Sequence, residues 1–353
     1  MNEQRVTSNE LGFAIIGAGN IGGMHALAIE HVPDARLVVV CNRGEARGRA
    51  LAEKYGVDWT PDYHEAVAQD DVDVVSICTP SGAHMEIAEA AAAAGKHVIV
   101  EKPIEITLER VDRVIAACRQ AGVKLAGIFP YRFTAGVQKA KEAVEAGRLG
   151  RLTLADAYVK WHRSQEYYDS GGWRGTWQLD GGGALMNQSI HTIDLLQWLA
   201  GPVESIFGHT AALAHRMETE DTAVAVLRFA NGALGVIEGA TSTWPGEPAR
   251  LELRGDRGSI VLSDGVITTW KLGDAAPGEE EAMLHLEESG GSGASDPMGI
   301  SYENHRRQIA DFVAAIREDR PPAVDGAEGR KAVEIIIGIY RSARSGQPVT
   351  LPL

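Results

Sequence analysis

A glycine-rich turn that directly follows an apolar segment constrains the fold of this chain more than any other feature. Residues 17–22 read Gly-Ala-Gly-Asn-Ile-Gly and fit the pattern G-x-G-x-x-G, with the apolar run Phe13–Ile16 before them and a helix-like stretch after them. In that context the glycines permit a tight turn, close approach of a ligand to backbone, and packing of the helix on the sheet. The motif predicts that the helix start holds the phosphates of a dinucleotide. The predicted contacts are Gly17, Gly19, Asn20, Ile21 and Gly22.

The first 130 residues alternate short apolar runs with amphipathic stretches. This alternation predicts a parallel sheet with helices on both faces, because consecutive parallel strands are joined by crossover helices. The runs are nearly continuous Val, Ile and Leu, as expected of strands that are covered on both faces. The main predicted strands are Phe13–Ile16, Leu37–Cys41, Val72–Cys78, His97–Val100 and Lys124–Ile128. We therefore assign residues 1–129 to a doubly wound α/β domain of the Rossmann type.

The pattern changes after Phe129. Segments that alternate in polarity or are rich in β-branched residues recur, with turn signals at Asn231-Gly232 and Gly255-Asp256. The predicted strands are Leu152–Trp161, Thr222–Phe229, Gly235–Ala240, Arg250–Arg254 and Ser259–Leu262. Residues 130–353 are therefore predicted to form an α+β domain for substrate binding and oligomerisation, built on an open, predominantly antiparallel sheet. The open face predicts a homodimer or homotetramer.

The end of the chain is predicted to be helical. Gly273–Gly299 is rich in Gly, Ser, Glu and Ala and predicts a mobile loop. Two helices are expected after it, roughly Tyr302–Glu318 and Gly326–Ser345, and the last is expected to pack back on the Rossmann domain.

The composition excludes several classes of protein. The net charge of −14 argues against a nucleic-acid binder, which needs a basic face to replace phosphate counterions. No apolar run is long enough to span a membrane, and the polar segment Met1–Glu10 does not resemble a secretory signal. The three cysteines stand singly in apolar runs, as buried cysteines of a reducing compartment do. We expect a cytoplasmic protein without a metal site and without nucleic-acid or membrane partners.

The end of the second predicted strand bears on the choice of cofactor. An NAD-specific site usually has Asp or Glu there to bind the ribose 2′-hydroxyl, but this chain has Asn42 followed by Arg43. Asn42 does not repel a 2′-phosphate, and Arg43 can pair with one. NADP(H) is therefore favoured over NAD(H). If Arg43 is only a solvated loop charge, both cofactors remain possible.

A lysine follows the predicted strand His97–Val100. Glu101-Lys102-Pro103 comes directly after the apolar run His97–Val100, and the carboxyl ends of strands in such sheets face the ligand crevice. Lys102 is thus a candidate functional group, the alternative being a lysine that reaches solvent from a strand end.

A polar stripe is predicted on a helix of the second domain. From Ala184 to Leu199 the sequence predicts a helix, with three glycines before it, on which Asn187, His191 and Asp194 share one face. Polar groups on an otherwise apolar helix need partners or a ligand to offset their desolvation. A satisfied core histidine with an asparagine cap is the alternative.

These motifs together resemble those of the glucose–fructose oxidoreductase/inositol dehydrogenase family (Gfo/Idh/MocA). The resemblance spans the chain, through Gly17–Gly22, Cys78-Thr79-Pro80 with His84, Glu101-Lys102-Pro103 and Gly181–Asp194. It implies hydride transfer between nicotinamide C4 and a carbinol carbon of a sugar or cyclitol. It also implies cofactor contacts from Thr79, Pro80, Glu101 and Lys102.

Position by position, the resemblance implies that Lys102 hydrogen-bonds the reacting oxygen and that His191 is the general base. The aspartate frequent in the family at the position of Asn187 is absent, and an amide cannot take up a proton. Ser189 replaces the family's usual glycine. Proton transfer is therefore expected to rest on His191, while Asn187 holds a substrate hydroxyl. A histidine of near-neutral pKa suits this task, and a cationic lysine stabilises developing alkoxide charge.

Further substrate contacts are predicted at the domain junction and in the segment 161–177, where aromatic rings and arginines suit a sugar and any attached carboxylate or phosphate. Arg132, Tyr168 and Arg174 are the favoured candidates, the alternative being that these side chains pack a domain interface. Two other functions remain open: an NAD-dependent glycosidase with transient redox, and a nicotinamide-sensing regulator. The regulator is disfavoured because Lys102 and His191 are both present.

Overall fold

Two sheets organise the chain in the computed structural model, which describes residues 10–286 and 301–353. The first sheet has six parallel strands in the order β3-β2-β1-β4-β5-β6. Its elements are β1 Leu11–Ile16, α1 Asn20–Glu30, β2 Ala35–Cys41, α2 Glu45–Tyr55, β3 Asp58–Thr60, α3 Tyr63–Val67, β4 Val74–Ile77, α4 His84–Ala93, β5 His97–Val100, α5 Leu108–Ala121 and β6 Leu125–Gly127. Short 3₁₀ turns cover Ser81–Ala83 and Pro130–Phe133. The order reverses between β1 and β4, so ligands are expected at the carboxyl ends of these two strands.

The second sheet has eight strands in the order β13-β12-β11-β7-β10-β9-β8-β14. All neighbours are antiparallel except β7 and β10. The elements are α6 Ala135–Glu145, β7 Leu152–Lys160, α7 Gln165–Asp169, a π-helix Ala184–Ser189, α8 Ile190–Ala200, β8 Val203–Ala211, β9 Thr222–Phe229, β10 Leu234–Ala240, β11 Arg250–Gly255, β12 Gly258–Ser263, β13 Val266–Leu272, α9 Glu279–Leu284, α10 Glu303–Arg317, α11 Gly326–Ser345 and β14 Val349–Thr350.

One face of the second sheet is covered and the other is open. Helices α8 and α11 pack on the covered face, where Ala225, Leu227 and Ile237 are buried. Strand β9 alternates buried and exposed residues, which places Val224 and Val226 on the open face. This alternation is the period-two pattern from which the strand was predicted.

The two C-terminal helices tie the halves of the chain together. Helix α10 packs on α1, and its Ile309, Phe312 and Val313 complete the core on that side of the Rossmann sheet. Helix α11 contacts β8 and α8 of the second half and also α5 and β6 of the first. No helix in the described part of the chain is long and apolar enough to cross a membrane.

The structure corrects three predictions of secondary structure. Strands β8, β13 and β14 were missed, because their sequences lie at or near the sheet edges and are interrupted by polar residues. The helix predicted from Ala184 to Leu199 begins as a π-helix and becomes α-helical only at Ile190. The loop predicted over Gly273–Gly299 contains helix α9 against β13, while residues 287–300 lie outside the described part of the structure.

Candidate active site

The glycine turn between β1 and α1 is shaped to hold an anion. Gly17 has a positive φ of 110°, and a Cβ on it would lie 2.5 Å from the carbonyl oxygen of Cys78. A Cβ on Gly22 would lie 1.9 Å from the carbonyl oxygen of Gly17, so only glycine fits there. A Cβ on Gly19 would meet no atom within 4 Å, and no side chain caps the start of α1. The turn therefore leaves open space in front of the helix N–H groups, as a bound pyrophosphate requires.

Two further groups border this turn. The Oδ1 atom of Asn42 accepts a hydrogen bond from the backbone N–H of Ala18 at 3.1 Å, and its Nδ2 donates to the carbonyl of Gly44 at 2.7 Å. The amide of Asn42 therefore braces the turn, and Arg43 next to it is exposed. The Oγ1 atom of Thr79 is buried and has no hydrogen-bond partner among the described residues. Such an orphaned hydroxyl fits a site that a polar cofactor completes.

A buried cluster supports the backbone of Lys102. The Oε1 atom of Glu101 lies 2.9 Å from Nε2 of His25, and its Oε2 accepts from the backbone N–H of Lys102 at 3.1 Å. His305 lies 3.8 Å from the same carboxylate. Burial alone would raise the pKa of Glu101, but His25, His305 and Lys102 hold it at about 2. Burial alone would lower the pKa of His25, but Cys78 and Glu101 raise it to about 10. Glu101 and His25 thus form a charged pair.

The Lys102 side chain reaches from this cluster to the second half of the chain. Its Nζ donates a hydrogen bond to the backbone carbonyl of Asn187 at 2.6 Å. Burial lowers the pKa of Lys102, and the carboxylates of Glu101 and Asp180 oppose that effect. The ammonium is thus held between the two sheets.

Glu220 and Tyr340 fix the start of the π-helix that carries Asn187. The carboxylate of Glu220 accepts from the backbone N–H of Gly183 at 3.1 Å and of Leu185 at 2.9 Å. The Tyr340 hydroxyl donates to the same carboxylate at 2.9 Å. Burial raises the pKa of Glu220 to about 7, which these hydrogen bonds oppose. The carboxylate satisfies backbone N–H groups that the first turn of a helix leaves unbonded.

His191 follows the π-helix on the first turn of α8. Its ring lies 5.4 Å from the ring of Tyr131 and 6.0 Å from that of Phe129, measured between centroids. The Nδ1 atom is buried and has no hydrogen-bond partner in the described part of the chain. Burial and the nearby positive charge of Lys102 lower the pKa of His191 well below its usual value. The imidazole is therefore neutral at pH 7 and can accept a proton.

Comparison with known proteins decides the family. Residues 11–129 match the model of an oxidoreductase family with an NAD-binding Rossmann fold, and residues 137–261 match that of the GFO/IDH/MocA C-terminal domain. The myo-inositol 2-dehydrogenase of Thermotoga maritima is 30% identical over an alignment of 358 positions that covers 96% of this chain and 97% of the relative. The chain belongs to the Gfo/Idh/MocA family.

Solved structures agree with the family assignment. The WlbA dehydrogenase from Bordetella pertussis, solved with NADH and UDP-GlcNAcA, is 35% identical with a TM-score of 0.88, covering 98% of this chain and 99% of that one. A levoglucosan dehydrogenase solved with NADH and levoglucosan is 25% identical with a TM-score of 0.83, covering 98% and 100%. The predicted resemblance and fold class are confirmed. This chain is an NAD-binding dehydrogenase of a sugar and cyclitol oxidoreductase family.

Two of the Gfo/Idh/MocA motifs meet where Lys102 contacts Asn187, but several predicted contacts have partners within the protein. Arg132, predicted to bind substrate, is buried, and its guanidinium donates to Asp194 at 2.6 and 2.7 Å and to Glu328 at 3.0 Å. Removing Arg132 would leave Asp194 buried without its ion-pair partner, so this ion pair is structural. Glu101, predicted to contact the cofactor, is instead committed to His25 and to the backbone of Lys102.

The aromatic segment of this Gfo/Idh/MocA chain divides into core and site residues. Tyr168, a predicted substrate contact, is buried with its hydroxyl 2.6 Å from Thr241 Oγ1. Arg174 is only partly buried and stacks on the rings of Tyr167 and Trp173, at 4.5 and 5.2 Å from their centroids. Tyr168 therefore packs the core, while Arg174 stays available to a ligand.

Sequence reasoning assigned no role to His25, Asp180 or His305 of this family member, and it ranked Arg163 below Arg174 among the side chains of the segment 161–177. Arg163 is buried, stacks on Trp161 and donates to Gln188 Oε1 at 3.0 Å. His25 stands on the buried side of α1 and Asp180 directly precedes the three glycines. A polar residue at a position where the pattern predicts burial was the available signal for His25.

Proposed function

We propose that this chain transfers hydride between nicotinamide C4 and a carbinol or keto carbon of a sugar, sugar derivative or cyclitol. The observation that carries the proposal is the meeting of two groups from different halves of the chain. Lys102 reaches across to the backbone of Asn187, and its charge lowers the pKa of His191 on the following helix. The nicotinamide, when bound, accepts or supplies the hydride.

The two side chains have complementary tasks. His191, neutral at pH 7, takes the hydroxyl proton during oxidation and returns it during reduction. Lys102 donates a hydrogen bond to the substrate oxygen and stabilises the negative charge that develops on it. Asn187 binds another hydroxyl of the substrate. Its backbone carbonyl accepts a hydrogen bond from Lys102, which places the two residues side by side. Orientation by fixed groups avoids the cost of rearranging water around that charge.

The cofactor is proposed to lie along the carboxyl ends of β1, β2, β4 and β5. The proposed pyrophosphate contacts are Gly19, Asn20, Ile21 and Gly22, while Gly17, whose N–H donates to the carbonyl of Cys41 at 2.8 Å, shapes the turn. Thr79 and Pro80 border it at the end of β4, where the Thr79 hydroxyl lacks a protein partner within the described residues.

We further propose that NADP(H) is preferred over NAD(H). No carboxylate stands at the end of β2, and Arg43 there is exposed. Arg43→Ala is expected to raise the Kd for NADP⁺ about tenfold or more and to leave the Kd for NAD⁺ nearly unchanged, because a hydrogen bond to a charged group contributes about 1.5–3 kcal/mol. Isothermal titration calorimetry with each oxidised cofactor measures both constants. Arg119→Ala, an exposed arginine of α5, is the matched control. Equal losses for both cofactors would contradict the preference.

The charges around Lys102 suit an acidic substrate. Arg163 and Arg174 add two positive charges to that of Lys102 and Asp180 supplies one negative charge, while Glu101 is already paired with His25, so the balance around Lys102 is positive. The WlbA dehydrogenase was solved with an acidic nucleotide sugar. We therefore propose a sugar that carries a carboxylate or phosphate, which arginine side chains bind well.

A substrate panel tests the proposed function. Myo-inositol, levoglucosan, UDP-GlcNAc and UDP-GlcNAcA are assayed with NAD⁺ and NADP⁺, and the absorbance of the reduced nicotinamide is followed. We expect reduced cofactor to form fastest with UDP-GlcNAcA, which differs from UDP-GlcNAc by its carboxylate. Equal or faster oxidation of a neutral substrate would contradict the acidic preference. Conversion of a glycoside without net reduced cofactor would favour the NAD-dependent glycosidase instead.

The open sheet face is proposed to join two copies of the chain in a homodimer or homotetramer. Leu154, Val224, Val226 and Leu234 lie on neighbouring strands of this face and are between 46% and 55% exposed. Neighbouring exposed apolar side chains of this kind mark an interface.

Val226→Asp is expected to convert the oligomer to monomers, because it places a charge in the middle of this apolar surface. Light scattering after gel filtration measures the mass. Leu213→Asp changes an even more exposed leucine outside the sheet, at 72% exposure, and is expected to leave the mass unchanged. An unaltered mass for Val226→Asp would show that the copies associate elsewhere.

A further inference from the structure

A buried carboxylate lies directly behind Asn187. The Oδ1 atom of Asp180 accepts a hydrogen bond from Asn187 Nδ2 at 2.6 Å, and its Oδ2 accepts from the backbone N–H of Gly175 at 2.8 Å. Asp180 is 1% exposed. The carboxylate therefore orients the Asn187 side chain, and no water can screen its charge from the neighbouring groups.

Asn187 connects this carboxylate to Lys102. Its backbone carbonyl accepts from Lys102 Nζ at 2.6 Å, and its Oδ1 accepts from Gln188 Nε2 at 3.0 Å. The side-chain nitrogen, the side-chain oxygen and the backbone carbonyl of Asn187 therefore all have hydrogen-bond partners within the protein. Asp180 also acts directly through space, since its negative charge favours the protonated form of Lys102.

We infer that Asp180 is a positioning residue of the hydride-transfer site: it fixes Asn187 and supplies the counter-charge that keeps Lys102 protonated. The effect on turnover rests on the proposed function. The effect on the charge of Lys102 does not, because it follows from the contacts of the protein alone. Asp180 is a positioning residue and not a catalytic one, because its carboxylate hydrogen-bonds Asn187 and Gly175 and acts on the reaction through Asn187 and Lys102.

Several charged and titratable groups face this pair. Those around Lys102 are Glu101, Arg163, His191 and His305, and those around Asp180 are Arg174, Tyr168 and Tyr340. Glu101 has a pKa of about 2 and His305 of about 4, while the arginines keep their charge at all relevant pH values. Glu220, which binds Tyr340 and the start of the π-helix, has a pKa of about 7 and titrates near neutral pH.

Asp180 also titrates in that range. Burial raises its pKa to about 6, and the hydrogen bonds from Gly175 and Asn187, together with the charges of Lys102 and Arg174, limit the rise. The counter-charge is therefore present above about pH 6 and is lost as the pH falls through that value. Burial and the charge of Lys102 lower the pKa of His191 well below its usual value. Because the counter-charge favours the protonated form of Lys102, its effect on activity is expected on the alkaline side of the profile, where Lys102 loses its proton.

The first test measures the charge of Lys102 without a substrate. The full-length protein is trace-labelled with acetic anhydride over a pH series, and the extent of acetylation of Lys102 is read by mass spectrometry. In Asp180→Asn the pKa of Lys102 is expected to fall by about one unit or more, because an opposite charge nearby shifts a pKa by about 1–3 units. An unchanged titration of Lys102 would overturn the inference.

A carboxylate exchange provides the matched variant. Asp180→Asn combined with Asn187→Asp keeps one carboxylate and one amide in the same hydrogen-bonded pair with their positions reversed. The Lys102 pKa is expected to return to the wild-type value or above it. If Asp180→Asn alone does not fold, the double variant tests the inference. A pKa of Lys102 below the wild-type value in the double variant would contradict the counter-charge role.

The second test is the pH profile of kcat/KM with the best substrate of the panel. In Asp180→Asn the alkaline limb is expected to move to lower pH, because Lys102 loses its proton more easily without the counter-charge. A uniform loss of rate with the alkaline limb in place would show that Asp180 is only structural. Absence of turnover by the wild-type protein on every sugar would count against the proposed function, while the labelling result would still decide the role of Asp180.

Discussion

Replacing His191 with alanine is expected to lower kcat by about two orders of magnitude or more, because a positioned general base contributes about 10²–10⁴-fold. The imidazole is neutral at pH 7, since burial and Lys102 hold its pKa far below 6.5, so nearly every molecule carries the base form. The loss should appear in kcat with little change in cofactor affinity, because the ring lies on α8 of the second half.

Initial rates with the best sugar of the panel measure this effect. His285→Ala, an exposed histidine after α9, is the matched control and is expected to retain wild-type kcat. Exogenous imidazole should restore part of the rate of His191→Ala, since the variant lacks only a proton acceptor at that position. Near-full activity of His191→Ala without imidazole would show that another group takes the proton.

Replacing Lys102 with alanine is expected to have an effect of similar size, about 10²–10³-fold on kcat, as found when a single charge-stabilising donor is removed. The variant loses both the hydrogen bond to the substrate oxygen and the ammonium that links β5 to Asn187. Lys102→Arg should not restore the rate, because a planar guanidinium cannot occupy the position of a compact ammonium.

The same initial-rate assay checks the Lys102 variants. Lys139→Ala, a half-exposed lysine of α6 with a side chain that is 42% exposed, is the control and should behave as wild type. In the absence of Lys102 the pKa of His191 should rise, because one positive charge that depresses it is gone. A wild-type kcat for Lys102→Ala would show that Lys102 takes no part in the reaction.

Local patterns in the chain were sufficient to predict the cofactor half. The G-x-G-x-x-G turn works through neighbours in sequence: Gly22 meets Gly17, and α1 begins two residues after Ala18. Lys102 was identified because a cation follows a buried strand at the edge where ligands bind. These inferences need only strand and helix periodicity, which the chain carries plainly.

The partners of individual polar side chains could not be predicted in the same way. Arg132 and Asp194 are 62 residues apart, and His25 and Glu101 are 76 residues apart. Nothing in the local sequence distinguishes an arginine that binds substrate from one that neutralises a buried aspartate. Only the packed structure decides which polar groups satisfy one another.

The role of Asp180 was hidden for a related reason. The predicted α-helix placed Asn187 and His191 on one face, but the π-helix over Ala184–Ser189 turns the Asn187 side chain toward Asp180 and its carbonyl toward Lys102. A π-helix has no periodic sequence signature and is often found at functional sites. The polar residues of the predicted stripe do have partners in two cases: Asn187 binds Asp180, and Asp194 binds Arg132.

The most direct test of the proposed reaction is a crystal structure of the wild-type enzyme with reduced cofactor and the oxidised form of its best sugar. The account predicts that one sugar oxygen lies within hydrogen-bond distance, about 2.6–3.2 Å, of both Lys102 Nζ and an imidazole nitrogen of His191. A complex in which the oxygen next to the nicotinamide carbon contacts neither side chain would contradict it.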